Sequence, residues 1–415
     1  MSLLITNIKS LVGIETQPKE KLCGKEMSSL NCQSDAFLFL ENDEISSFGT
    51  MSNLPSELIN THDGIQKLDA SGKLVFPCWC DSHTHLVFAG YREQEFVDRI
   101  HGMTYEEIAS RGGGILNSAA KLALASEEEL LEAAMKRIRE VILLGTGAIE
   151  IKSGYGLSLE TEIKILRVIK EIKSKSPIPV KATFLGAHAV PASHTKEQYL
   201  ELILNKMLPQ IGKESLADYC DVFCERGYFT KEETKTILKK ANNIGLKGKV
   251  HAEQLSHSGG VEAGVECDAT SVDHLEFLND HDIQLLKNSS TMPVILPGAQ
   301  FFLGLQNPPA RKIIDSGLPL AISSDYNPGS SPSGNMNFMI SLACINYKLT
   351  PEEAIHASTI NSAFAMGLSK THGSISKGKK ANVFITKEIP NYSFIPYSFS
   401  NNLVEKVIIN GKLIS

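Results

Sequence analysis

The sequence predicts an α/β fold: a (β/α)8 barrel of the TIM type, with a small β-sandwich-like domain built from both chain ends. Two observations predict the barrel. Between residues 73 and 370 strand-like runs alternate with helix-like runs, and eight of the strand-like runs can be placed. Side chains of metal-binding type recur where those apolar runs stop, which is where a barrel gathers its active site. A third observation, short strand signals confined to the two flanks, predicts the small domain.

The strands are expected at 73–80, 147–152, 179–186, 219–225, 246–250, 269–273, 291–296 and 318–324. The helices between them carry start signals with a physical basis. Ser126-Glu-Glu-Glu129 and Thr230-Lys-Glu-Glu233 read as capping boxes, and Thr350-Pro-Glu-Glu353 adds a proline at the first helical position. Gly145 and Gly245 suit the left-handed residue that ends a helix. Residues 1–72 and 373–415 hold Ala36-Phe-Leu-Phe-Leu40, Asn382-Val-Phe-Ile-Thr386 and Lys406-Val-Ile-Ile-Asn-Gly-Lys412. These flanks are expected to pair into one β domain beside a barrel spanning 73–372, since chain ends often lie close together.

With 415 residues and 42% hydrophobic content the chain can bury a large core. A net charge of −6 and a pI near 6.1 provide no basic field for nucleic acid. No apolar run reaches membrane-spanning length. The opening Met1-Ser-Leu-Leu-Ile-Thr-Asn-Ile-Lys9 has no cationic leader and reads as a first strand, so a cytoplasmic location is expected. Among the eight cysteines, the pairs Cys78/Cys80 and Cys220/Cys224 lack the spacing of a zinc ribbon or redox site. They read as buried free thiols.

The most informative segment is Val75-Phe-Pro-Cys-Trp-Cys-Asp-Ser-His83-Thr-His85. In extended chain alternate side chains share a face, so His83 and His85 point the same way and can share one metal ion. Alone, the pair reads equally well as two hydrogen-bonded surface histidines. Further candidates then end later apolar runs: His188, His251, His274 and Asp325. Their recurrence points to a single convergent site and a metallohydrolase.

Seven segments together resemble the amidohydrolase superfamily over nearly the whole chain: Asp81-Ser-His-Thr-His-Leu-Val-Phe-Ala-Gly-Tyr-Arg92, Gly112-Gly-Gly-Ile-Leu116, Glu150-Ile-Lys-Ser-Gly-Tyr-Gly156, Phe184-Leu-Gly-Ala-His188, His251-Ala-Glu-Gln254, Ser271-Val-Asp-His274 and Asp325-Tyr-Asn-Pro-Gly-Ser-Ser-Pro332. Within that superfamily they are similar to the ring-opening enzymes of histidine degradation. The resemblance implies that His83, His85, His251 and Asp325 hold one Zn(II) or Fe(III) per subunit, with a position left open for water. The chemistry agrees, because imidazoles and a carboxylate suit a borderline ion that activates water and polarises a carbonyl. The superfamily's bridging lysine belongs at the fourth strand, which here ends Cys224-Glu-Arg226, so a single metal is expected. Lys152, ending the second strand, reads as a structural or substrate-facing cation.

The implied substrate is a small molecule, 4-imidazolone-5-propanoate, a cyclic amide-like ring with a carboxylate tail. The resemblance assigns its binding to Arg92, Tyr155, His188, Asn327, Gly329 and Ser330. A guanidinium at Arg92 can grip a carboxylate bidentately. By residue type alone, Tyr155 is an ordinary turn tyrosine and Asn327-Pro-Gly329 an ordinary turn. His274 acting with Asp325 is the expected proton-transfer pair. Gln254 stands where the superfamily's deaminases carry glutamate, so it reads as a binding residue. Glu253 is expected to face away. Cys78 replaces a glycine of the superfamily pattern, and His194, His281 and His356 are assigned no role. A homodimer is implied by the resemblance only. Two rival functions are a purine or pyrimidine aminohydrolase and a noncatalytic scaffold on the same barrel.

Overall fold

The computed structural model describes residues 2–60, 64–103, 107, 111, 113–399 and 401–414; Gly112 of the glycine-rich segment lies outside these. The first part of the chain forms β1 (Ser2–Val12), β2 (Cys32–Glu41), β3 (Glu44–Thr50), β4 (Ile65–Asp69) and β5 (Lys73–Pro77). The barrel strands follow: β6 (Trp79–Asp81), β7 (Thr146–Lys152), β8 (Val180–Ala187), β9 (Tyr219–Cys224), β10 (Lys247–Ala252), β11 (Ser271–His274), β12 (Met292–Ile295) and β13 (Ala321–Ile322). The last part adds β14 (Val383–Glu388), β15 (Val404–Ile409) and β16 (Lys412–Ile414).

Strands β6 to β13 pair in sequential order, all parallel. The two edges meet just beyond their last residues. Thr84 bridges Tyr326 in parallel, Asp325 N donates to His83 O at 3.0 Å, and His85 N donates to Tyr326 O at 2.9 Å. The barrel is thereby closed by the backbone of the His-x-His segment itself.

The strands of the two chain ends form the second sheet, in the order β16-β15-β14-β5-β1-β2-β3, with β4 pairing β1. One face encloses its own apolar core, which includes Leu3, Ile5, Leu38, Leu40, Val75, Val383 and Ile408. The expected first barrel strand, 73–80, is therefore split. Its first five residues are β5 and pair with β1 and β14; the barrel begins only at Trp79. Pro77 marks the change of partner, because proline cannot donate to a ladder. Cys78 N then bonds Asn382 O at 3.0 Å and Trp79 N bonds Gly145 O at 2.9 Å. The last barrel strand is also shorter than the expected 318–324.

The three expected capping boxes are formed, at Ser126, Thr230 and Thr350, with Pro351 in the first turn of its helix. Gly145 and Gly245 have positive φ, 96° and 87°. No disulfide forms, and Cys78, Cys80, Cys220 and Cys224 are buried thiols.

Sheet and barrel share aromatic packing. Phe384 of β14 stacks on Phe76 of β5 with centroids 5.1 Å apart and meets Trp79 of β6 at 4.9 Å. Truncating Phe384 leaves a cavity between the two units, so Phe384→Ala is expected to lose about 3–5 kcal/mol of unfolding free energy. Guanidinium unfolding checks this; a loss below about 1 kcal/mol would mean that the junction relaxes to fill the space.

Candidate metal centre and substrate cleft

Strand alternation decides what enters the barrel. Glu150 and Lys152 of β7, Asp221 of β9, Lys249 and His251 of β10, and Asp273 of β11 are all buried, and they meet one another inside. Lys152 Nζ lies 2.8 Å from Glu150 Oε1, 2.7 Å from Asp221 Oδ2 and 3.6 Å from Asp273 Oδ2. Lys249 pairs with the other oxygen of Glu150, whose Oε1 also accepts from Thr183 Oγ1 at 2.7 Å. Lys152 is thus a structural cation beneath the site and does not face the cleft.

This network supports the histidines. His83 Nδ1 donates to Asp273 Oδ2 at 2.6 Å, and His251 Nδ1 stands 3.0 Å from Asp221 Oδ2. His85 Nδ1 donates to Ser153 O at 3.3 Å. One ligand atom each from His83, His85 and His251 lies within 4.8 Å of the others. Asp325 Oδ1 is 3.6 Å from Nε2 of both His83 and His85. Four donors from three separate parts of the chain therefore converge.

Two properties fit these donors to a cation. His83 Nε2 is buried without a hydrogen-bond partner. Burial first, then the neighbouring Lys152 and imidazoles, hold His83 well below the usual histidine range, and burial with His188 and His251 does the same for His85. Neutral imidazoles with their outer nitrogens fixed by carboxylate or carbonyl are the form in which histidine binds metal. His83, His85, His251 and Asp325 can therefore hold one ion.

His274 ends β11 in a left-handed conformation, φ 90°, with its ring 5.2 Å from His251 and 5.7 Å from His83. Its Nδ1 is 3.5 Å from Glu276 Oε1. Burial opposes its charge, but Glu276 and then Asp325 and Asp273 prevail and push the imidazole upward. Burial likewise pushes the Asp325 carboxyl up. Glu276 accepts from Gln300, and Tyr347 donates to Gln300 Oε1 at 2.7 Å.

A cleft of about 500 Å³ adjoins this cluster, and Arg92, Tyr155, His188, Gln254, Asn327, Gly329 and Ser330 all line it. His85 stacks on His188 at 5.7 Å, and Tyr155 meets both rings at 5.6 Å. The Tyr155 loop is shaped by Glu162, whose Oε1 accepts from Gly156 N at 2.6 Å and from Leu157 N at 3.2 Å. Gly154, at φ 109°, has no room for a side chain: a Cβ there would lie 2.9 Å from His188 Nδ1, which donates to Gly154 O.

Asn327 organises the loop around Asp325. Its Oδ1 accepts from Gly329 N at 2.7 Å and Ser330 N at 2.8 Å, while Nδ2 donates to Asp325 O at 2.7 Å. Ser330 Oγ donates to Asp325 Oδ2 at 3.0 Å. Glu253 has φ 56°, so the strand has ended before it. Its carboxylate accepts from Ser258 N and Val261 N, capping the helix Gly260–Glu266.

Sequence reasoning missed several participants. Asp273, Asp221 and Glu276 are carboxylates beside or opposite the histidines; alternation in β9 and β11 was the available signal for Asp221 and Asp273, and Glu276, beyond the end of β11, had none. Glu95, Arg99, Phe223 and Tyr228 also line the cleft. Glu95 sits three residues after Arg92, a spacing that permits an ion pair on a helix.

The amidohydrolase family profile matches residues 74–414. The chain is 55% identical over 416 residues to the imidazolonepropionase of Christiangramia forsetii, covering 100% of both chains. It is 39% identical over 414 residues to that of Geobacillus kaustophilus, covering 99% of this chain and 97% of the relative. Among solved structures, a guanine deaminase from C. acetobutylicum with bound guanine superposes at TM-score 0.72 with 15% identity and 100% of both chains covered. A zinc-bound adenosine deaminase from Xanthomonas campestris superposes at 0.70 with 15% identity, over 99% of this chain and 92% of that one. At such identity these two likenesses concern the fold alone.

Two predictions follow from the geometry. Asp273→Asn removes the charge that orients His83, and should weaken metal affinity about 10–100-fold, read by competition with a chelating dye; unchanged affinity would mean that Asp273 serves only Lys152. Burial, followed by His251, pushes His188 down to about 4. The unfolded chain then binds the extra proton between pH 6.5 and 4, so this group stabilises the fold less as pH falls through that window and has no effect on the slope above it. An NMR titration of His188 should give a midpoint near 4; one near 6.5 would contradict the burial.

Proposed function

The chain belongs to the amidohydrolase family and, within it, to the imidazolonepropionases, and from that premise we propose that it hydrolyses 4-imidazolone-5-propanoate to N-formimidoyl-L-glutamate in histidine degradation. The observation that carries the reading is the convergence of His83, His85, His251 and Asp325 beside a cleft lined by Arg92 and Tyr155. These four donors hold one Zn(II) or Fe(III) per subunit, which when bound polarises the ring carbonyl and activates water.

The chain's own groups do the rest. Arg92 orients the propanoate tail at one end of the cleft, and Tyr155, His188 and Gln254 set the ring against the donor cluster. Asn327 holds the Gly329-Ser330 turn, and Ser330 keeps Asp325 aligned. Water oxygen bonds to the ring carbonyl carbon and the bond from that carbon to nitrogen breaks. One water proton passes by way of Asp325 to His274, which Glu276 keeps protonatable and which delivers it to the departing nitrogen; the other leaves as the new carboxyl group ionises. A cytoplasmic location and a homodimer belong to the same proposal; the eight unpaired cysteines support the former.

The test is turnover. Purified, metal-quantified protein mixed with freshly made substrate should consume it and release formimidoylglutamate. Turnover of guanine, adenosine or cytosine in its place would reject the substrate and leave the family standing. His83→Ala and Asp325→Ala should each lose bound metal and at least about 10³-fold in kcat/KM, roughly 4 kcal/mol of transition-state stabilisation. Full metal retention in either would refute that ligand.

A further inference from the structure

Arg92 is already committed to a carboxylate. Its Nε and Nη2 both reach Glu95 Oε2, at 2.8 and 2.6 Å. Glu95 is buried, and its other oxygen accepts from Gly114 N at 2.9 Å, so the partner is fixed in place. With two guanidinium nitrogens held on one carboxylate oxygen, the pair presents direction to a ligand but no net charge.

Arg99 lies seven residues on, two turns along the helix Glu93–Ile100 and hence on the same side. Its Nη2 donates to Gly329 O at 3.4 Å, and its guanidinium stands 4.8 Å from the centre of the Phe302 ring. Neither partner cancels its charge. Burial, then the like charge of Arg92, push Arg99 below the usual guanidinium range and outweigh the opposing pull of Glu95. Among the described residues the charged side chains lining the cleft are Arg92, Glu95 and Arg99, so the net positive charge there is that of Arg99. The two arginines also share one loop. A Cβ on Gly329 would fall 2.2 Å from Arg92 Nη1, so glycine lets that guanidinium approach while Arg99 holds the carbonyl of the same residue.

We infer that Arg99 is a specificity-determining residue: it supplies the net positive charge by which the cleft selects a carboxylate-bearing substrate, while Arg92, neutralised by Glu95, supplies orientation. The inference rests on the proposed substrate reading, and its test separates the two. Metal-loaded wild type, Arg99→Met and Arg99→Lys are compared by calorimetry with imidazole-4-propanoate and with the corresponding neutral propanamide, and by kcat and KM on 4-imidazolone-5-propanoate. Wild type should favour the carboxylate probe. Arg99→Met should lose about tenfold in affinity for it and raise KM about tenfold, with amide affinity and kcat changed less than about twofold, the scale of one charge-assisted hydrogen bond. Arg99→Lys should restore most of the preference, and Arg99→Gln gives the same readout as methionine should the latter disturb the contact with Phe302. Equal weakening of both probes, or an unchanged KM, overturns the inference and leaves Arg99 as a support for the Gly329 loop. A wild type that prefers the carboxylate probe yet does not turn over the imidazolone would sink the substrate reading and keep the charge selection.

Discussion

The site depends on a set of charges sealed inside the barrel. Lys152 and Lys249 are fully buried against Glu150, Asp221 and Asp273, and two of those carboxylates are also the contacts of His83 and His251. Buried charge is costly unless it is paired with good geometry, and removing one partner of such a pair costs about 3–5 kcal/mol. The network is therefore stiff, because any displacement of one strand leaves a charge unmatched. That stiffness passes directly to His83, whose tautomer and direction are set by Asp273, and Asp221 stands beside His251 at 3.0 Å.

Backbone conformation at the mouth follows from the same demand. His274, Leu275 and Asp325 all have positive φ, between 54° and 90°, which costs side-chain-bearing residues about 1–3 kcal/mol each. Local bonds hold the strain in place. Leu275 N bonds Ala252 O at 3.1 Å, Asp325 N bonds His83 O, and Asn327 and Ser330 clasp Asp325 from the far side. With these turns His274 stands beside the rings of His83 and His251, and Asp325 beside His83 and His85.

Much of this was legible because the relevant periods are short. His83 and His85 share a face by the two-residue alternation of extended chain, and the capping boxes at Ser126, Thr230 and Thr350 need only four residues to be recognised. The strand at 73–80 was misjudged for a nonlocal reason. Its residues are uniformly apolar because they are buried in two different sheets, and only the partners, β14 on one side of Pro77 and β7 on the other, divide it. Lys152 was ambiguous because nothing near it in sequence shows that Asp221, 69 positions later, would face it. Arg92 and Asn327 were marked as ligand contacts by the family resemblance; that Glu95 occupies the first and loop amides the second depends on how helix and turn come to rest.

The sequence by itself determined the alternation of strands and helices, the β character of both ends, and a set of candidates at strand ends, His83, His85, His188, His251, His274 and Asp325, since each is written in local patterns of burial and spacing; the choice of four donors among them came from the family resemblance. The tertiary structure decided which charges answer one another: Asp273 to His83, Glu95 to Arg92, Glu276 to His274. Such pairings are settled by through-space distance in a low-dielectric interior, where interaction falls with separation and takes no account of position along the chain.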